Sequence, residues 1–529
     1  MTESRSADIV RLGTRKSLLA WAQSSWVARE VERHNPGIQV ELVGIETRGD
    51  KLLDVSLQKT EGKEFFVAEI DTALRAGQVD FTVHSMKDLS LDRPSEFTLG
   101  AIPKRENSRD VVLFGPSALQ RMKDGLPVRI GTSSPRRLEN IPQFLEKALP
   151  HQTVDQSVNS TSAQLRAPCR VEFVDIRGNV NSRLGRVHEA VDHPKYLDAV
   201  VLAFAGIIRL WADENGRKEL TRILESVRWM VLPLQNSPSA PAQGALAIEC
   251  RSDDSRIKAL LAPLHHLPTG EHVAQERALL AEWGGGCHQK FGASSISHPE
   301  LGNLFYVRGK KPDQTFVDEL VWKLPAPPHT PAQPWDGSDW RKKLKELPLE
   351  PQALPEKFAA VFVAHHRAVS TPALVQSLES ARVWTSGTTS WFDLAKKGIW
   401  VEGCAEGLGF EFLAPGLHEA VLRLPELPNW TVLTHQQALS GWPQSRAFAT
   451  YEVLPPSEDV LDTFREELKH ATHLYWSSGS LFDLLKPSVR SGAHHSCGAG
   501  KTATHLRNSG ITPQVFPSYE SWKKWLNLP

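Results

Sequence analysis

Short apolar, β-branched runs recur along the chain, and each is followed by a polar loop. The segment ADIVRLGTRKSLLAWAQSSWVAREVERHNPGIQVELVGIET reads as strand, loop, amphipathic helix and strand. VDFTVHSMKD reads as a strand that ends in a loop, and VRIGTSSPRR, VEFVDIRGNVNSRLGRV and LDAVVLAFAGIIRLW repeat the theme. Strands that alternate with helical segments predict parallel α/β sheets. In such sheets ligands bind beyond the carboxyl ends of the strands, which is where the polar and basic motifs fall. The texture changes near Pro325, where LPAPPHTPAQPWDGSDWRKKLKELPLEPQALPEK is rich in proline and polar residues and reads as a linker. A second α/β pattern begins at FAAVFVAHHRAV. The polar stretch HQTVDQSVNSTSAQLRAP, between two motifs of the first half, reads as an inserted surface loop.

Length and composition narrow the field. A chain of 529 residues accommodates about three to five domains. Lys+Arg and Asp+Glu are both 61, so no global polyanion-binding character follows, nucleic acid is not expected as a partner, and any anion site must be a local cluster. Five cysteines spread thinly argue against a disulfide framework and for a reducing compartment. No CxxC spacing appears, so no metal is expected. The first residues, MTESRSADIVRLGTRKS, lack a hydrophobic signal core. The longest apolar run, AVVLAFAGII, is too short to span a bilayer. A cytoplasmic protein with no membrane partner is expected.

Four loops of the first half carry basic residues: RLGTRKS with Arg11, Arg15, Lys16 and Ser17; EGKEFF with Lys63; GTSSPRR with Thr132, Ser133, Ser134, Arg136 and Arg137; and DIRGNVNSR with Arg177 and Arg183. Arginine forks pair with carboxylates, and hydroxyls and helix N-termini add neutral donors. Each loop by itself is also compatible with a solvated charged surface. Together, three of them after strands, they point to a cleft for a ligand with many carboxylates or phosphates. Against these cations stands Asp88 in VHSMKDLS, beside Lys87 and near His84. It reads either as a carboxylate that stabilises a developing cation or as a salt-bridge partner of a nearby arginine. In AEWGGGCHQKFG the glycines Gly284 to Gly286 lead directly into Cys287, a thiol that either lies buried in a loop or carries something bulky.

The motifs GTRKSLLAWAQ, ETRGD, GKEFFVAEIDTAL, VDFTVHSMKD, GTSSPRR, DIRGNVNSRL, LDAVVLAFAGIIRL, PAQGALAIECR and GGGCHQKFGA follow one another in order. Over about Ile9 to Lys323 the sequence resembles hydroxymethylbilane synthases, also called porphobilinogen deaminases. The resemblance implies two doubly wound domains like those of periplasmic binding proteins (7–108 with 240–262, and 109–239) and a small α+β domain (263–324). It implies a dipyrromethane cofactor attached by a thioether to Cys287. Four porphobilinogens lose ammonia in turn, each as an electrophilic azafulvene, to give a linear tetrapyrrole that hydrolysis releases. Asp88 then takes the catalytic position. Lys63, Ser85, Lys87, Thr132, Ser133, Ser134, Arg136, Arg137, Arg177 and Gly178 match cofactor-binding positions, and Arg15, Ser17, Phe66, Arg183 and Gln243 match substrate-binding ones. Ala242 departs from the glycine often found before the glutamine of PAQGA. A monomer is expected.

The last part of the chain, about Phe358 to Leu528, resembles uroporphyrinogen-III synthases, which close the linear tetrapyrrole while inverting its last ring. The resemblance makes 325–357 the linker and 358–529 an α/β synthase-like domain. It matches Tyr451 to the family's cleft tyrosine and has Thr502 open a helix whose amides face the ligand. Ser386 and Ser478 start comparable loops. Helix capping by each hydroxyl is the alternative role. GAGKTA does not complete a phosphate-binding loop, because His495 stands where the first glycine of GxxxxGK[ST] belongs and Gly492 and Gly498 are out of register. Two alternatives stay open: a deaminase with a non-catalytic C-terminal scaffold, and an anion-binding protein without catalysis.

Overall fold

The computed structural model describes residues 8–47, 67–153, 166–286, 289–326, 332–338, 343–349, 354–442 and 446–528. It is a mixed α/β structure with several sheets. Contacts divide the chain into two compact units. The first is Met1–Phe144, Arg170–Ile296 and Phe305–Val321; the second is Leu145–Cys169, Ser297–Leu304 and Trp322–Pro529.

Unit 1 contains two five-stranded sheets. The first has the order Ile38–Ile45, Asp8–Arg15, Phe81–Ser85, Leu246–Arg251, Phe97–Ala101. Asp8–Arg15 runs parallel to both of its neighbours, and Leu246–Arg251 is antiparallel to both of its own. Leu246–Arg251 thus returns from far along the chain to pair with strands near its start. The second sheet has the order Arg228–Val231, Asp110–Phe114, Ala199–Ala203, Val128–Gly131, Val171–Val174. Its Asp110–Phe114 strand is antiparallel to both neighbours, whereas Val128–Gly131 is parallel to both of its own. Asp110–Phe114 is buried along its whole length, as expected of a central strand covered on both faces. Lys290–His298, Gly302–Lys310 and Phe316–Trp322 form a third, three-stranded sheet.

The helix Leu18–His34 shows why a motif sits where it does. Ser17 is its N-cap and accepts a hydrogen bond from the Ala20 amide. Its apolar positions Val27, Ala28 and Val31 face the core, packed with Val10, Leu12 and Phe81.

Unit 2 contains two more sheets. One orders Lys345–Pro348, Arg446–Leu454, Thr431–His435, Ala360–Val363, Arg382–Thr385 and Val401–Cys404, all parallel except the first. The other orders Pro334–Trp335, His473–Trp476, His494–Gly498 and Gln514–Phe516, all parallel. The proline-rich segment therefore departs from the expected linker: two pieces of it are edge strands. Proline is tolerated there because an edge strand leaves one row of its amides unpaired. The polar insertion also departs from a plain surface loop. Gln152–Thr153 pairs with Arg166–Ala167, the His151 amide donates to the Ala395 carbonyl, and Trp391 Nε1 donates to the Ala148 carbonyl at 3.1 Å.

Candidate active site

The basic motifs of unit 1 fall where strands end. Asp88 closes a single 3₁₀ turn, Met86–Asp88, directly after the strand Phe81–Ser85; Met86 is buried as an anchor, and Asp88 is exposed. Gln23 Nε2 donates to Ser85 Oγ at 3.3 Å, tying the first helix to this strand end. Thr132 to Arg137 follow the strand Val128–Gly131. Ser134 caps the helix Pro135–Asn140, with Pro135 in its first turn. The Ser134 amide donates to Thr132 Oγ1, and Ser133 Oγ accepts from the Ile176 amide at 3.1 Å, which fastens this loop to the next one. In that next loop Gly178 has φ +108°, Asn179 caps the helix Val180–Gly185, and Arg183 Nε donates to the Gly178 carbonyl at 2.7 Å. Arg177 lies 3.9 Å from Asp175. Arg15 ends the strand Asp8–Arg15 and is partly buried.

A buried ionic network lies behind these loops. Arg137 donates from Nε and Nη2 to the two oxygens of Asp110, at 3.2 and 2.7 Å, and from Nη1 to the Val201 carbonyl. Arg136 Nη2 lies 2.8 Å from Asp110 Oδ2, and its Nη1 donates to the Pro238 carbonyl. Gln243 Nε2 donates to Asp110 Oδ1 at 2.9 Å and to the Ser108 carbonyl, and its Oε1 accepts from Lys87 Nζ at 3.3 Å. Burial alone would raise the Asp110 carboxyl, but Arg136, Arg137 and Gln243 outweigh it and hold Asp110 well below the usual carboxylate range. Burial pulls the Lys87 ammonium below the ordinary lysine range; Asp88 and Asp110 oppose that pull, and Arg137 and Arg136 add to it. Arg183 is lowered too, by burial first and then by Arg137 and Arg177, against Asp175 and Asp88. Desolvated cations thus gather near one exposed carboxylate, an arrangement suited to an anionic ligand. Arg136 Nε is buried with no hydrogen-bond partner among the described residues. That free donor and the cationic lining fit a group that bears several carboxylates.

Cys287, Lys63 and Phe66 lie outside the described residues. The approach to Cys287 is described: Gly284, Gly285 and Gly286 have φ of +89°, +63° and +92°. Three successive residues in the left-handed region explain the glycine run, since each side chain there would cost about 1–2 kcal/mol. Cys169, Cys250, Cys404 and Cys497 are buried and in no disulfide. Burial pushes the thiols of Cys169 and Cys250 up to about 11 and that of Cys497 up to about 12, so these three are poor thiolate nucleophiles at neutral pH.

Sequence reasoning missed Asp110 and Glu276. Glu276 Oε1 and Oε2 pair with Arg105 at 2.6 and 2.9 Å and also accept the amides of Ser295 and Ala242. One fully buried carboxylate thereby joins the crossover near Arg105, the loop at Ala242, the helix Leu267–Glu282 and the strand Lys290–His298. The one available signal for Asp110 was an acid placed directly at the head of the apolar run VVLF. Ala242, which stands where the related family often has glycine, takes φ +63°. His84 turns toward Thr82 and Glu249, and burial, Arg93 and Arg15 pull it down to about 3. It is therefore neutral near pH 7. Asp71, His84 and Glu249 lie close enough together to hold a cation, but Arg93 already bridges Asp71 and Glu249 at 2.8 Å to each.

In unit 2, Ser386 follows the strand Arg382–Thr385, and its carbonyl accepts from the Gly407 amide. Ser478 caps the helix Gly479–Leu485, its hydroxyl accepting from the Leu481 amide at 3.2 Å. Lys501 opens the helix Lys501–Asn508 after its cap Gly500, so Thr502 is its second residue, not its first. Tyr451 is buried on the strand Arg446–Leu454, 5.7 Å from the His435 ring, and burial pushes its hydroxyl up to about 12. The loops that carry Gly409 and Gly500 approach so closely that a Cβ on Gly500 would lie 2.9 Å from the Gly409 Cα.

Residues 10–259 match the family model described as "Porphobilinogen deaminase, dipyromethane cofactor binding domain". A porphobilinogen deaminase of Trichlorobacter lovleyi is 36% identical over 312 residues, which cover 59% of this chain and 86% of that protein. The chain belongs to the porphobilinogen deaminase family. The chloroplastic porphobilinogen deaminase of Euglena gracilis is 35% identical over 343 residues, 64% of this chain; the chain spans 62% of that relative's length. Among solved structures, a uroporphyrinogen-III synthetase from Helicobacter pylori aligns over 34% of this chain and 88% of its own, at 14% identity and a TM-score of 0.23. No helix among the described residues is long and apolar enough to cross a membrane.

Proposed function

We propose that unit 1 is a hydroxymethylbilane synthase that joins four porphobilinogens with loss of ammonia. The observation that carries this reading is the convergence of Lys87 and Arg183 on the exposed carboxylate of Asp88, with Arg136 and Arg137 facing Lys87 from Asp110. Lys63, Ser85, Lys87, Thr132, Ser133, Ser134, Arg136, Arg137, Arg177 and Gly178 would hold the acetate and propionate groups of a dipyrromethane on Cys287. When bound, that group supplies the nucleophilic pyrrole carbon to which the first substrate is joined. Arg15, Ser17, Phe66, Arg183 and Gln243 are assigned to the incoming porphobilinogen. The carboxylates of each added pyrrole meet fixed cations, which orient the ring. Asp88 then presents an exposed negative charge, and it stabilises the positive charge that develops on the pyrrole as ammonia departs.

The test is intact-protein mass together with turnover. The full chain is expected to carry the added mass of a dipyrrole, and Cys287→Ser to fold, carry none and consume no porphobilinogen, because a hydroxyl is a far weaker nucleophile than a thiolate. Wild-type-like turnover by Cys287→Ser overturns the assignment.

For unit 2 we propose closure of the linear tetrapyrrole with inversion of its last ring. Ser386, Ser478 and Thr502, the last in the first turn of its helix, all follow the carboxyl ends of parallel strands, where α/β sheets bind ligands. Closure needs the two ends of one molecule to be held together, which is work for shape more than for strong acids or bases. Products formed from porphobilinogen by the full chain, oxidised and separated by chromatography, decide it. The inverted isomer supports closure, and only the uninverted isomer leaves a scaffold role. The reading includes a cytoplasmic monomer.

A further inference from the structure

Asp110 lies behind the site, wholly buried at the head of the strand Asp110–Phe114. Each of its oxygens meets two donors: Oδ1 takes Arg137 Nη2 and Gln243 Nε2, and Oδ2 takes Arg137 Nε and Arg136 Nη2. A carboxylate only accepts hydrogen bonds. The end of the Gln243 amide that faces Asp110 must therefore be its NH₂, a choice reinforced by the Ser108 carbonyl at 2.8 Å from the same nitrogen. The carbonyl end of Gln243 is then forced toward Lys87 Nζ, 3.3 Å away. A neutral amide in place of Asp110 would remove this constraint and let Gln243 turn its NH₂ against the Lys87 ammonium.

We propose that Asp110 is a positioning residue of the site: it orients Arg136 and Arg137 and, through the amide of Gln243, holds Lys87 as an ammonium ion. What that ammonium is for rests on the deaminase reading; the positioning itself does not. Among the described residues, the charged groups that face Lys87 are Asp88, Arg137, Asp110 and Arg136, with Gln243 as its hydrogen-bond partner. Two anions thus oppose burial and two cations. Loss of Asp110 leaves Asp88 alone, at the exposed rim, against the same burial and the same two arginines. Lys87 then gives up its proton at lower pH, and a neutral amine no longer pairs with a carboxylate.

The experiment reads Lys87 directly. Full-length protein is labelled with trace acetic anhydride across pH 6 to 11, and modification of Lys87 is followed by mass spectrometry, since only the free amine reacts. Asp110→Asn is expected to lower the midpoint by about one pH unit or more, as befits the loss of a close buried charge. The alkaline limb of kcat/KM for porphobilinogen is expected to move with it. Gln243→Met cuts the relay but keeps the Asp110–arginine pairs, and is expected to shift the midpoint in the same direction by less. A folded Asp110→Asn protein whose Lys87 midpoint matches the wild type overturns the proposal; if that variant does not fold, an unmoved midpoint in Gln243→Met overturns it. A shifted midpoint in a protein whose wild type never consumes porphobilinogen upholds the positioning role and sinks the deaminase reading. An unmoved midpoint with normal turnover does the reverse.

Discussion

The two units share an α/β construction and stabilise it in different ways. Unit 1 buries charge. Arg105–Glu276, Arg136–Asp110 and Arg137–Asp110 each leave the carboxylate 0% exposed and the arginine at 8% or less. Among the described residues of unit 2 the pair with the most buried carboxylate, Arg382–Glu402, leaves its arginine 29% exposed. Unit 2 buries indole instead: Trp384, Trp391, Trp430, Trp476 and Trp522 are its largest fully buried side chains, whereas those of unit 1 are Tyr196, Phe81, Phe114, Phe204 and Phe291. Buried ion pairs add little net stability over well-packed apolar residues of the same size. Among the described residues such pairs fall in unit 1, and two of them hold Arg136 and Arg137 of the loop after Val128–Gly131. A cleft that must hold many carboxylates needs cations fixed before the ligand arrives.

The comparison can be broken most directly at its ion pairs. Glu276→Gln leaves Arg105 without its buried counter-charge and is expected to cost about 3–5 kcal/mol. Glu402→Gln, beside a partly exposed arginine, is expected to cost about 1 kcal/mol. Urea unfolding of both variants measures this, and equal losses would erase the contrast. Next in size is Asp88→Asn, which keeps shape and removes charge. It is expected to lower porphobilinogen turnover on the order of a hundredfold or more while the fold is retained. A fewfold loss in a steady-state assay would return Asp88 to a salt-bridge role.

A smaller effect concerns acid. The His84 imidazole is held at about 3 in the folded protein, below the ordinary 6.5, by burial and by Arg93 and Arg15. Below pH 6.5 the unfolded chain binds a proton that the folded chain refuses, so stability falls as pH drops from 6.5 toward 3. The loss attributable to His84 is about 2 kcal/mol at pH 5. His84→Gln is expected to flatten that slope between pH 7.5 and 5 in urea titrations, and equal slopes would count against it. The smallest effect is at Ala242, whose φ of +63° is strained for any residue with a side chain. Ala242→Gly is expected to raise stability by about 0.5 kcal/mol, the relieved strain exceeding the added chain entropy. Calorimetry would show a rise of about 1 °C.

The order of motifs was legible in the chain alone, and so was the placing of Asp88, Thr132 to Arg137 and Arg177 to Arg183 at strand ends. These are local facts: an apolar run ends, and a basic or hydroxyl-bearing loop begins. The glycine run before Cys287 was legible too, because a left-handed backbone restricts residue type directly. What only the tertiary structure decided is which charges meet. Asp110 finds Arg137 across 27 positions and Gln243 across 133, and Glu276 finds Arg105 across 171. No periodicity encodes such distances. Leu246–Arg251 joined its sheet, and Pro334–Trp335 and Lys345–Pro348 became edge strands, through backbone hydrogen bonds that are blind to side-chain pattern. Chemistry near a strand end is written locally, whereas the buried partner that orients it is chosen by the fold, because desolvated charges must pair with whatever the chain brings within reach.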